Sequence, residues 1–70
     1  MDRDYASEWR SWRMDHNMSQ TQLATALGLA LRTIQGIELG EHRPSYTSRL
    51  RFHELRKRHE KAEKETPWHH

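Results

Sequence analysis

An all-helical fold is what this sequence predicts, and three observations carry the prediction. The chain has no valine and only two isoleucines, and apolar and polar residues nowhere alternate over a strand's length, so strands lack raw material. Apolar residues instead recur at three- and four-residue spacings in successive short segments. Residues that start helices (Asp4, Ser19, Ser45) and residues that stop them (Asn17, Gly28, Gly40) bound those segments.

The first helix is expected from about Tyr5 to His16, with Asp4 as its cap and Glu8 near the positive end of its dipole. Tyr5, Trp9, Trp12 and His16 form one stripe, with Ala6 and Met14 at its edges. Two tryptophans on such a stripe read as core. The second helix has a complete start signal. Ser19 and Gln22 make a capping box, and Met18 and Leu23 take the two positions of a hydrophobic staple. It should run from Gln20 through Leu27 and stop at Gly28, which accepts positive φ. A third helix is expected over Leu31–Leu39, apolar at 31, 34 and 37, ending at Gly40. Pro44 keeps any helix from running through the loop 41–44, and Ser45 caps a last helix from Tyr46. That helix carries Tyr46 and Leu50, then Phe52, Leu55, His59 and Ala62, the second set spaced i, i+3, i+7 and i+10. From Arg56 onward it is almost all charged, with Glu54–Arg58 and Glu60–Lys64 at i, i+4. Such pairs support an exposed helix by roughly 0.2–0.5 kcal/mol each. Residues 1–65 read as one domain and 66–70 as a tail. The terminal His69 and His70 are given no role.

Seventy residues, 33% of them apolar and 31% charged, make a thin core. A chain of this size buries only about 60% of its unfolded surface and usually needs a staple. With no cysteine, disulfides, thiolate metal sites and cysteine nucleophiles are excluded, and a second copy of the chain becomes the leading aid. No apolar run approaches membrane-spanning length, and the start MDRDYASEW carries no apolar signal, so the expectation is a cytoplasmic protein without a membrane partner. An active site needs a walled cleft that so short a chain rarely builds, so no enzyme and no cofactor are expected.

Charge is uneven. Residues 32–58 hold Arg32, Arg43, Arg49, Arg51, Arg56, Lys57 and Arg58 against Glu38, Glu41 and Glu54, while both flanks are slightly acidic. A basic middle suggests a polyanion partner, and it equally fits a solvated helix face. Two short helices joined by a turn that opens on glycine make a helix-turn-helix. The steep crossing needs a small residue, supplied by Ala24. The turn needs Gly28, and the inner faces must be apolar, as Leu23, Leu27, Leu29, Ile34 and Ile37 are.

The stretch from Trp9 to Ser45 resembles the Xre-type helix-turn-helix family, the lambda repressor and Cro group. The sharpest parts are Met18-Ser19-Gln20, Leu23-Ala24, Leu27-Gly28, Ile34, and Ile37-Glu38-x-Gly40 followed by Pro44. The resemblance covers roughly residues 9–55. It implies a compact four- to five-helix bundle of the lambda-repressor type, binding operator DNA as a dimer, with a size that suits a phage, plasmid or mobile-element regulator in a bacterial cytoplasm. It also implies a DNA contact at Gln20 and a structural pair between Arg13 and Glu38. Three positions depart from the family pattern. Ala30 stands where a capping Ser or Thr is usual, Leu39 where a polar residue is common, and Arg49 where an aliphatic residue is often buried.

With Ile34 and Ile37 turned inward, the opposite face of the third helix holds Arg32, Gln35, Gly36 and Leu39, with Leu31 at its margin. The start of that helix enters the major groove in such motifs. Arg32 and Gln35 are therefore expected at base edges, where Arg suits guanine and Gln adenine, and Leu31 beside a thymine methyl. Gly36 either lets DNA approach closely or is a tolerated weak helix residue. Phosphate contacts are expected from Gln20 at a helix N-terminus, and from Thr33, His42 and Arg43. Arg49 and Arg51 are either weaker phosphate contacts or plain surface. The dimer seam is expected on the last helix through Leu50, Leu55 and His59, with a histidine there giving pH sensitivity.

The overall expectation is a sequence-specific regulator of transcription, a repressor on a palindromic operator. A lone reading head does little beyond occupying DNA. The alternative is a protein-interaction module or an antitoxin, which exposed Leu39, Phe52, Leu55 and Trp68 would favour. Salt separates the two, because counterion release makes phosphate binding steeply salt-dependent. Histidine metal chemistry lacks support, since His53 and His59 miss the i, i+4 spacing of two ligands on one face. RNA binding lacks an aromatic stacking platform.

Overall fold

The computed structural model describes residues 3–64 and contains four helices in this span, α1 (Tyr5–Asp15), α2 (Gln20–Leu27), α3 (Leu31–Glu38) and α4 (Tyr46–Lys64). The expected tail 66–70, with Trp68, His69 and His70, lies outside the described residues.

Local chemistry sets the ends of the first two helices. The Asp4 carboxylate accepts from the Ser7 amide at 3.1 Å and caps α1. This hydrogen bond, helped by one from the Ser7 hydroxyl, holds the Asp4 carboxyl below its ordinary range. Asn17 stops the segment with φ 54°. At α2 both halves of the capping box form: the Gln22 amide donates to Ser19 Oγ at 3.0 Å, and the Ser19 amide donates to Gln22 Oε1 at 2.8 Å. Gly28 ends α2 with φ 68°, a conformation that costs a Cβ-bearing residue free energy. Ala30, by contrast, gives α3 no side-chain cap.

Trp9, Leu23, Ala24, Leu27, Ile34, Ile37, Phe52 and Leu55 form the core. Each large member contributes about 1.5–3 kcal/mol of burial. Trp9 stacks on Phe52 with centroids 4.3 Å apart, and Trp12 meets Phe52 edge-on at 5.4 Å. Ala24 is buried between α2 and the rest, as the steep crossing requires.

The described structure corrects several expectations. Met14, placed at the edge of the α1 stripe, is 61% exposed. On α4 the inner face runs through Ser48, Phe52, Leu55 and His59, while Tyr46, Leu50 and Ala62 are exposed. Ser48 takes the buried place because its amide and hydroxyl are both bonded to Ser45 Oγ at 3.1 Å, which lets a small polar side chain go inside. Phe52 and Leu55 are core residues, so neither is an exposed apolar anchor, and Leu55 is not free to form a dimer seam. His59 is half-buried and faces α1, its ring 5.3 Å from Trp12 and 5.0 Å from His16, so it too is turned into its own chain.

Candidate nucleic-acid interface

Helix α3 positions the site. Its inner residues Ile34 and Ile37 are fully buried, which turns Arg32 and Gln35 to solvent. Neither engages another side chain among the described residues. Leu31 is 39% exposed at the margin, Leu39 is 72% exposed at the far end, and Thr33 is half-buried. The outward face therefore holds one cation, one amide and apolar surface.

Behind it lies an ion pair that fixes the angle of α3. Glu38 is 6% exposed and receives Arg13 as a fork, Nε to Oε2 at 2.8 Å and Nη2 to Oε1 at 2.9 Å. The third nitrogen of Arg13 donates to the Met18 carbonyl at 2.9 Å. The Glu38 hydrogen bonds push the Arg13 pKa further above its already high value, against the opposing effect of burial. Sequence reasoning did not find the third donor to Glu38: Gln20 Nε2 reaches Glu38 Oε1 at 3.2 Å. The side-chain amide nitrogen of Gln20 is therefore turned to the ion pair, whose two members together tie α1, the loop before α2 and both helices of the motif. The capping box uses the amides of Ser19 and Gln22, so those of Gln20 and Thr21 remain the open donors of the first turn of α2.

The loop after α3 supplies the other candidates. His42 and Arg43 are exposed, with His42 Nδ1 3.3 Å from the Arg43 carbonyl. Gly36 has a neighbour that neither of its two expected readings includes. The glycine is buried although it stands on the outward face, because the His42 ring lies on it, and a Cβ built there would collide with that ring. DNA cannot come close to this glycine without first displacing the imidazole.

The basic stretch is partly spent inside the fold. Arg51 Nη1 donates to the carbonyls of Leu27 and Gly28 at 3.1 and 3.0 Å, closing the C-terminal end of α2. Arg56 pairs with Glu8 at 3.2 Å and lies over the Phe52 ring. Arg49 lies over Tyr46 and donates to the Tyr5 hydroxyl at 3.5 Å. No local pattern announces these long-range contacts. Among the described residues no group of three potential ligands is placed to hold a metal ion, and no helix is long and apolar enough to cross a membrane.

A helix that is anchored from behind and bare in front, carried on a tight corner, defines a DNA-binding helix-turn-helix module. The profile of the family described as Helix-turn-helix matches residues 10–48, more than half of the chain. The chain belongs to this family of Xre-like, lambda repressor/Cro-like helix-turn-helix domains. Its kind is the DNA-binding transcription regulator, a class not typically enzymatic. Comparisons with curated proteins and with solved structures gave no match.

Proposed function

We propose that the chain reads a specific double-stranded operator and represses transcription as a homodimer. Arg32 and Gln35 meet base edges, with Leu31 against a thymine methyl. Phosphates are held by the open amides of Gln20 and Thr21, by Thr33, and by His42 and Arg43. The observation that carries this reading is the exposed face of α3, where Arg32 and Gln35 stand without protein partners while Glu38 locks the helix from behind. Repression is the mode that requires no more than occupancy of the operator. For the dimer seam, Leu50 remains from the expected set, joined by Tyr46; these are 42% and 70% exposed on α4.

Selection of bound fragments from random duplex DNA tests the proposal. The expected product is a near-palindrome with half-sites about one helical turn, roughly 34 Å, apart. An unenriched pool would remove the DNA reading, and an unrepeated site would remove the dimer.

A further inference from the structure

We infer that the cleft between the start of α1 and the first half of α4 is a ligand site of its own, suited to a small aromatic carboxylate, with Arg49 as the residue that takes the carboxylate. The cleft uses no residue of α2 or α3, so the inference goes beyond the DNA-binding reading and does not depend on it.

Charge is the first observation. Arg3, Arg49 and Arg56 line this cleft, with Glu8 as its one carboxylate. Glu8 is engaged by two of the three. Arg3 grips it as a fork, Nε to Oε2 at 2.9 Å and Nη2 to Oε1 at 2.7 Å, and Arg56 Nη1 reaches Oε1 at 3.2 Å. Arg49 is left over. Among the described residues it pairs with no carboxylate. Both of its contacts sit at the outer limit of their kind, 3.5 Å to the Tyr5 hydroxyl and 5.9 Å to the centre of the Tyr46 ring. The chain thus sets an exposed, under-used cation in a cleft that already carries more positive than negative charge.

Shape is the second observation. The cleft measures about 250 Å³. Drug-sized ligands fill about 300–1,000 Å³, so this one takes a single ring and little more. Tyr5, Tyr46 and Leu50 wall it, over the Trp9–Phe52 stack. Tyr46 and Leu50 are 70% and 42% exposed, so the chain leaves that wall uncovered. The flat fork of a guanidinium matches a carboxylate, and a ring attached to that carboxylate has the Tyr46 face to pack on. An inorganic anion would meet the charge and leave the apolar wall wet. A neutral ring would do the reverse. An aromatic carboxylate answers both. Tyr46 and Leu50 also stand in the seam proposed above, so such a ligand and a second copy exclude each other here.

The test titrates the full chain with sodium benzoate near neutral pH at fixed ionic strength, followed by NMR of the backbone amides and the Trp9 indole. Acetate and benzamide are the charge-only and ring-only controls. Shifts should cluster at Tyr5, Glu8, Tyr46, Arg49 and Leu50 and spare Arg32 and Arg58. Benzoate should bind about tenfold more tightly than either control, the size of one hydrogen bond to a charged group. Arg49→Leu and Arg49→Gln should each lose about that factor with an unchanged circular dichroism spectrum, while Arg32→Ala should bind benzoate as the wild type does. Shifts spread evenly over the arginines, a control that binds as well as benzoate, or folded Arg49 variants that bind like the wild type would each overturn the site. Sedimentation in saturating benzoate should move the chain toward the monomer. Bound benzoate with an unmoved profile would remove Tyr46 and Leu50 from the seam and overturn the exclusion, leaving the site and the DNA reading in place.

Discussion

Helices α2 and α3 are both eight residues long and adjacent in the chain, yet their ends are finished in opposite ways. The start of α2 is closed by a reciprocal capping box, and its last carbonyl is held by Arg51. The start of α3 has no side-chain cap at all. What holds α3 is behind it: Ile34 and Ile37 fully inside, and Glu38 clasped by Arg13 and Gln20. Helices this short depend on tertiary packing more than on propensity. The lesson is one of division. A supporting helix can satisfy its own ends, whereas a helix presented to a partner keeps its front unoccupied and takes its stability from the rear.

The largest effect should come from breaking the tie that both helices share. Arg13→Ala leaves Glu38 buried without its cation, and loss of one partner of a buried pair costs about 3–5 kcal/mol. Urea denaturation should show the loss, and whatever folded fraction remains should keep its base preference. A weakened DNA affinity at unchanged stability would contradict the structural role of this pair. Next in size is the front of α3. Arg32→Ala should cost about 1–3 kcal/mol of duplex binding and relax choice at one base pair. Arg43→Ala should weaken all sequences alike and flatten the salt slope. Identical behaviour of the two across operator variants would erase the distinction between reader and anchor.

Smaller effects sharpen the contrast between the two helix starts. Ser19→Ala should destabilise by about 1 kcal/mol, and Ala30→Ser should stabilise by a similar amount, both read by thermal melting. A neutral Ala30→Ser would mean that the start of α3 is already satisfied by other means. The smallest effect concerns α1, whose start rests on one carboxylate. The folded-state pKa of Asp4 is depressed by the Ser7 hydrogen bonds, so its contribution is fully present above the unfolded carboxyl pKa and is lost as pH falls through the lower folded value. Stability curves of the wild type and Asp4→Ala should therefore converge in acid and separate toward neutrality.

The parts of this fold written in local signals were legible. The α2 boundaries followed from Ser19, Gln22 and Gly28, and the inward positions of α3 from the spacing of Ile34 and Ile37. On α4 the spacing of Phe52, Leu55 and His59 marks the inward face, whereas Ser48 carries no hydrophobic signal and is buried through its bonds to Ser45. Arg51 looked like surface charge because its acceptors, Leu27 and Gly28, lie more than twenty residues away. Gly36 and His42 are six residues apart and meet only because the loop folds back, so neither residue signals the contact locally. On the candidate site, sequence named the exposed pair Arg32 and Gln35 but had no means to see that the Gln20 side chain is engaged by Glu38.

The guanidinium of Arg51 has a mechanical consequence. A single nitrogen grips two successive carbonyls at the bend, 3.1 and 3.0 Å away, and the other end of that side chain is rooted in the longest rod of the molecule. A roll of that rod about its axis must first take up the slack of the flexible Arg51 side chain and then strain both bonds.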